Sequence, residues 1–176
     1  FRNAKKSKVK FVRLASHFKE INETIKICKI LKKMNYFVTI NLMQISEQNK
    51  EKILSVTKLI NTASPNVLYF ADSLGSMNPS QVRNLIKILR QNWKGTLGIH
   101  THNNLGKAVA NSLEAIDLGV TMIDSTVTGM GRGSGNAQTE YLIIEIQSLL
   151  KKKINVMPLL KLINKYFSPL KQKYKW

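Results

Sequence analysis

NVLYFADSLGSMNPSQVRNLIKIL, residues 66–89, carries a strand, a turn and a helix in one short run. Its first part, NVLYFADS (66–73), is apolar at almost every position before Asp72. A strand apolar throughout, rather than at alternate positions, is covered on both faces, which is the habit of parallel sheets. Asn78-Pro79 then supply a helix N-cap and a proline at N1, where a missing N–H costs nothing. Beyond them Val82, Leu85, Ile86 and Leu89 recur at helical spacing and predict one buried face.

The same strand–turn–helix unit recurs along the chain, five times in all. KVKFVRLAS (8–16) precedes a helix with Ile21, Ile25, Cys28 and Leu31 on one face. YFVTINLM (36–43) precedes Ile53, Val56 and Ile60. GTLGIHTH (95–102) leads to a helix with Leu105, Ala108, Val109, Ser112, Leu113 and Ile116, ended by Gly119. VTMIDSTV (120–127) is followed by a glycine-rich loop and a helix from about Asn136 to Leu150. A basic amphipathic helix over 158–174 joins no further strand, so residues 1–152 form one α/β domain and 153–176 a helical extension. Alternation without hairpin signals means α/β with a parallel sheet. Five units suit either an open flavodoxin-type sheet or part of a (β/α)8 barrel, and pattern alone leaves both open. Asp72, Ser73, His100, His102 and Asp124 all fall near strand C-terminal ends. Chemistry drawn from several strand ends at once suits the barrel better.

Composition narrows the function classes. The 176 residues carry a formal charge of +18 and 43% apolar residues, the mix of a globular chain apart from its basicity. The cations are mostly lysines spread over helix surfaces among Asn and Ile. KKSKVK (5–10) and KKKIN (151–155) lack the interleaved aromatics of a single-strand groove, which disfavours a nucleic-acid partner. No apolar run approaches the roughly 18–20 residues of a membrane span. FRNAKKSKVKFVRLA (1–15) has no secretory core, and Cys28 is the single cysteine, so a reducing cytoplasm is the expected compartment. The chain opens on Phe1 rather than Met, which suggests a fragment.

The chemistry-bearing residues converge on GIHTHNN, residues 98–104. Residues two apart on a strand share a face, so His100 and His102 project together with Gly98 below them, while Leu97, Ile99 and Thr101 face the helices. Two imidazoles so placed can present nitrogens to one divalent ion, with a carboxylate and open positions completing the set. GMGRGSGN (129–136) offers close backbone approach to a ligand or simply a tight turn. Asp72 can serve as a partner that fixes a histidine tautomer, or as a helix-cap acceptor. Asp124 has the same two roles open to it, the structural one favoured. Ser73 and the amides after it can hold a carboxylate, and His17 stands where it could line the same rim. Cys28 lies on an apolar stripe and is read as core.

Taken together, HTHNNLGKAVANSLEAIDLGVTMIDSTVTGMGRGSGNAQTE (100–140) resembles the signature of the metal-dependent aldolase and acyltransferase barrels related to hydroxymethylglutaryl-CoA lyase, the pyruvate carboxyltransferase superfamily. VRLASHFKE (12–20) and YFADSLGSM (69–77) look closest to the 4-hydroxy-2-oxovalerate aldolase branch. The resemblance implies a (β/α)8 barrel with Mn2+ or Mg2+ held by an aspartate and two histidines, here His100 and His102. It implies a carbon–carbon lyase acting on a 2-oxo acid through an enolate that the metal stabilises. Ser73 would hold the pyruvate carboxylate, with His100 beside it. Asn136 would approach the metal, and Gly131, Gly133 and Gly135 would shape the rim.

The aspartate ligand and a neighbouring arginine come, in that family, from an R-D-G motif on the first barrel strand, and no R-D-G occurs in this chain. The first strand here resembles the family's fourth, so the five units correspond to strands 4 to 8, and the catalytic residues of the early strand lie elsewhere. Such an incomplete barrel is expected to be inactive alone. An acyl-CoA-dependent condensing transferase of the same superfamily and a non-catalytic basic binding module are the alternatives. The pattern leaves open a homo-oligomer or a partner enzyme.

Overall fold

The computed structural model describes residues 2–176. One sheet contains β1 (Phe11–Ser16), β2 (Phe37–Leu42), β3 (Val67–Asp72), β4 (Thr96–Thr101) and β5 (Met122–Ile123). The helices that follow them in turn are α1 (Ile21–Lys33), α2 (Lys50–Asn61), α3 (Pro79–Asn92), α4 (Ala108–Asp117) and α5 (Thr139–Leu149). Every pairing is parallel and the strand order is β1-β2-β3-β4-β5. A flavodoxin-type sheet reverses its direction of growth partway, whereas a barrel adds strands in sequence order. Growth in one direction through right-handed crossovers also puts the helices on one face. The order therefore selects the barrel of the two architectures.

Curvature makes the same choice. Arg13 on β1 and Asp124 just past β5 form an ion pair at 2.7 Å. Four strand spacings separate those strands, roughly 19 Å in a flat sheet, more than the two side chains can bridge. The sheet is thus curled into an arc, and the pair spans its concave side.

The two faces of the arc differ as the strand period requires. On the helix side Ile40, Leu42, Leu68, Phe70, Leu97 and Ile99 are buried in one core with Ile25, Cys28, Leu31, Ile53, Ile60, Val82 and Leu89. On the concave side the aligned positions are polar or small: Arg13 beside Thr39, Asn41 beside Tyr69, Tyr69 beside Gly98, Ala71 beside His100. All six residues of β3 are buried, as its unbroken apolar run requires. The N-cap at Asn78 and the proline behind it are present, and Gln81 completes a capping box.

Three expectations shift. The fifth strand ends at Ile123 rather than 127, because after one more bond, Asp124 N–H to Ile99 C=O, the chain turns to pair Thr126 with Ala137 and Gln138. For the same reason α5 begins at Thr139 and not Asn136, which is held in a bridge to His102. Helix α4 begins at Ala108, where the Asn103 side chain accepts the Ala108 N–H, so Leu105 lies outside it and is 54% exposed. Its buried face is Ala108, Asn111, Ser112 and Ala115, since the Asn111 side chain donates to the Met77 carbonyl beneath β3's loop.

The last segment is helical from Met157 to Tyr174 with a π-helical turn at Ile163–Phe167 between α6 (Met157–Leu162) and α7 (Ser168–Tyr174). Pro169 lacks the N–H that Lys165 would otherwise receive, and the wide turn absorbs that loss. Trp176 ties the end of the chain back by donating its indole N–H to Thr128 Oγ1 at 3.1 Å. Among the described residues no helix is long and apolar enough to cross a membrane.

Candidate active site

His100 and His102 sit at the C-terminal end of β4 with ring centroids 5.2 Å apart and planes at 74°. Two residues earlier on the same face, Gly98 leaves room for the ring of Tyr69; a Cβ there would lie 2.5 Å from Tyr69 Cδ1. The guanidinium of Arg13 covers the other side of that ring, 4.0 Å from its centroid. Gly98, Tyr69 and Arg13 therefore form a stack that aims Arg13 along the concave face. Its Nη1 reaches Asp124 Oδ2 at 2.7 Å, and the same oxygen lies 2.8 Å from His100 Nδ1.

The electrostatics follow from this packing. Burial alone would raise the Asp124 carboxyl, but the hydrogen bond with His100 and the Arg13 charge outweigh it and hold it below its ordinary value. The His102 pKa is lowered too, first by burial and then by the neighbouring His100 and Arg132. A neutral imidazole is the form that donates a lone pair to a metal. Burial raises the Tyr69 hydroxyl, with Asp124 adding to it.

Asn136 comes to the pair through the glycine loop. It bridges to His102, its Nδ2 donates to the Met130 carbonyl at 3.2 Å, and its Oδ1 is buried without a protein partner. The loop can deliver Asn136 only because it folds tightly. Gly135 takes a positive φ of 76° and a Cβ there would lie 2.1 Å from the Gly129 carbonyl oxygen, while a Cβ on Gly131 would overlap the Asn136 amide. Tight turning is thus the role of Gly131 and Gly135. Gly133 faces open space and borders a cavity of about 250 Å³ with Ser73, His102, Asn104, Arg132 and Ser134. Ser73 Oγ accepts the Gln44 N–H at 2.9 Å, which leaves its own proton free to donate into that cavity. On the other side of the pair a cavity of about 300 Å³ is lined by Arg13, His100, Asp124, Thr126 and Asn136.

Two carboxylates divide the roles the sequence left open. Both oxygens of Asp72 accept backbone N–H groups, from Ser76 at 3.1 Å and Met77 at 3.0 Å. Asp72 braces the loop that leads to the Asn78 N-cap of α3, neither capping that helix itself nor joining the imidazoles, because its position on β3 faces the helices. Asp124, expected to be structural, is the carboxylate bonded to His100. No motif in the sequence points to Arg13. A lone arginine at an inward position of a strand was the available signal, since such a charge is seldom buried unpaired. His17 stands apart, lining a cavity of about 390 Å³ with Gln44, Gln48 and Lys52.

Among the described residues no group of three or more His, Cys, Asp or Glu could hold a metal ion. The donor set that does come together is two imidazoles and the orphaned Asn136 oxygen, with Asp124 already engaged by Arg13. Two nitrogens and one neutral oxygen with open positions fit a divalent ion.

Residues 4–164 match the family model described as HMGL-like. A 4-hydroxy-2-oxovalerate aldolase of Bacillus thuringiensis (strain Al Hakam) is 33% identical over 162 residues, 92% of this chain and 48% of that protein. The enzyme of the same name from Pelotomaculum thermopropionicum is 36% identical over 146 residues, 83% of this chain and 43% of its own length. The chain thus spans about half the length of the curated relatives it matches. Among solved structures, the N-terminal domain of a candidate aldolase from Bacteroides vulgatus superposes with a TM-score of 0.85 at 33% identity, covering 96% of this chain and 56% of that one. A Bacillus subtilis HMG-CoA lyase superposes with a TM-score of 0.71 at 21% identity, over 83% of this chain and 58% of that one, a likeness of fold alone.

Proposed function

This chain belongs to the HMGL-like family, and from that membership we propose that it carries part of the active site of a divalent-metal-dependent aldolase acting on a 2-oxo acid. The observation that carries the reading is the edge-on pair His100 and His102 beside the buried, unpartnered Asn136 Oδ1. These residues would hold Mn2+ or Mg2+. Among the described residues no carboxylate joins the pair except Asp124, which Arg13 engages. A bound ion supplies Lewis-acid polarisation of the 2-oxo carbonyl.

The chain's own residues do the rest of the work available to them. Asp124 occupies one nitrogen of His100 and leaves the other for binding. Burial and the neighbouring His100 and Arg132 favour the neutral form of His102. The Ser73 hydroxyl donates to the carboxylate of the 2-oxo acid, and Gly133 lets that group approach the loop backbone closely. The substrate is a small acid, and a reducing cytoplasm suits the buried Cys28. We take residues 153–176 as a helical extension beyond the barrel part.

Pyruvate supplies the test. With Mn2+ present, adding this chain should broaden the pyruvate methyl proton resonance, while the His100→Ala/His102→Ala variant should not. Broadening of the acetyl-CoA methyl instead would favour the acyltransferase reading, and equal broadening by both proteins would remove the site.

A further inference from the structure

His100 is held from outside by groups drawn from opposite ends of the arc. Asp124 Oδ2 lies 2.8 Å from His100 Nδ1 and 2.7 Å from Arg13 Nη1. A carboxylate has only acceptors, and so has nothing to offer a bare imidazole nitrogen. The neutral ring must then carry its proton on Nδ1, which leaves the lone pair on Nε2. Free neutral imidazole side chains favour the opposite arrangement, with the proton on Nε2. We propose that Asp124 is the positioning residue that reverses this preference in His100, and that Arg13 is the clamp holding Asp124 in place.

The surroundings favour this over an ion pair that serves the fold alone. Arg13 and Asp124 keep 28% and 23% of their side chains exposed, and a half-wet pair by itself adds little stability. Yet the arginine is fixed along its length: its guanidinium lies on Tyr69, and Tyr69 lies on Gly98, directly below His100 on the same face. The packing determines where the carboxylate stands, and the carboxylate determines which nitrogen of His100 is free. His102 has no carboxylate bonded to it among the described residues, so the two imidazoles are set by different means.

This assignment rests on the proposed metal site only for its purpose; the tautomer is a property of the metal-free chain. Long-range proton–nitrogen correlation of the 15N-histidine-labelled chain, with chelator and above the imidazole titration range, reads it directly. His100 should show a protonated Nδ1 and a bare Nε2. In Asp124→Ala it should revert to mostly Nε2–H, with His17 unchanged as the internal control. Arg13→Met should give a mixture of tautomers at His100. Mn2+ affinity of Asp124→Ala should fall about 10–100-fold, the usual effect of losing such a partner.

A wild-type His100 protonated on Nε2 overturns the proposal even if a variant fails to fold. An unaltered tautomer in folded Asp124→Ala overturns it equally, and an unaltered one in Arg13→Met removes the clamp. Correct tautomers with no Mn2+ binding by the wild type would instead count against the metal site and leave this assignment standing.

Discussion

Arg13 and Asp124 belong to the two edges of the sheet, and they meet at 2.7 Å across its concave face. The contact records the curvature of the arc and sets the geometry around His100 at the same time. Removing either residue should therefore reach beyond the pair. A double-mutant cycle with Arg13→Met and Asp124→Ala, read by urea unfolding, should give a coupling of about 0.5–1 kcal/mol, the upper range for a partly exposed ion pair. A coupling near zero would mean that the pair does not tie the arc together.

Gly98→Ala should destabilise by about 1–3 kcal/mol, since the new methyl would sit in the Tyr69 ring and the packing must shift. The double variant Gly98→Ala/Tyr69→Leu should recover part of the loss in thermal unfolding. Additive losses would mean that the ring is not what the glycine accommodates.

Much of this architecture is legible in the amino-acid sequence. The unbroken run Val67–Phe70 declared a strand covered on both faces, and Asn78-Pro79 marked the start of α3. The spacing of His100 and His102 placed both on one face, where they stand. What stayed hidden depends on the shape of the whole sheet. Arg13 and Asp124 are partners only because the arc curls, and no local pattern carries that information. Asp72 shows the complementary limit: every residue of β3 is buried, so burial could not say which of its carboxylate's two possible roles faces the helices. The early end of β5 has a similar cause, since Thr126 exchanges the sheet for the returning glycine loop.

Cys28 offers a check on the helix-side core. It is fully buried, and burial, only partly offset by Lys32 and Lys29, pushes its thiol pKa up. A raised pKa means less thiolate at any given pH. At about pH 8, where an ordinary cysteine begins to ionise, the native chain should react with a thiol reagent far more slowly than the urea-unfolded chain. Equal rates would place Cys28 at the surface.

Asn136→Asp probes the orphaned oxygen. It should tighten Mn2+ binding by putting a charged ligand where a neutral one stands, and lower stability by about 1 kcal/mol through loss of the donor to Met130. Weaker Mn2+ binding than in the wild type would show that Oδ1 does not face the ion.

The metal assignment itself is tested most directly by titrating Mn2+ into this chain and into His100→Ala/His102→Ala, with free Mn2+ followed by electron paramagnetic resonance. The wild type should deplete the free signal through one saturable site, and the double variant should bind at least about tenfold more weakly, as loss of direct ligands requires. Identical titration curves for the two proteins would contradict a metal site at the histidine pair.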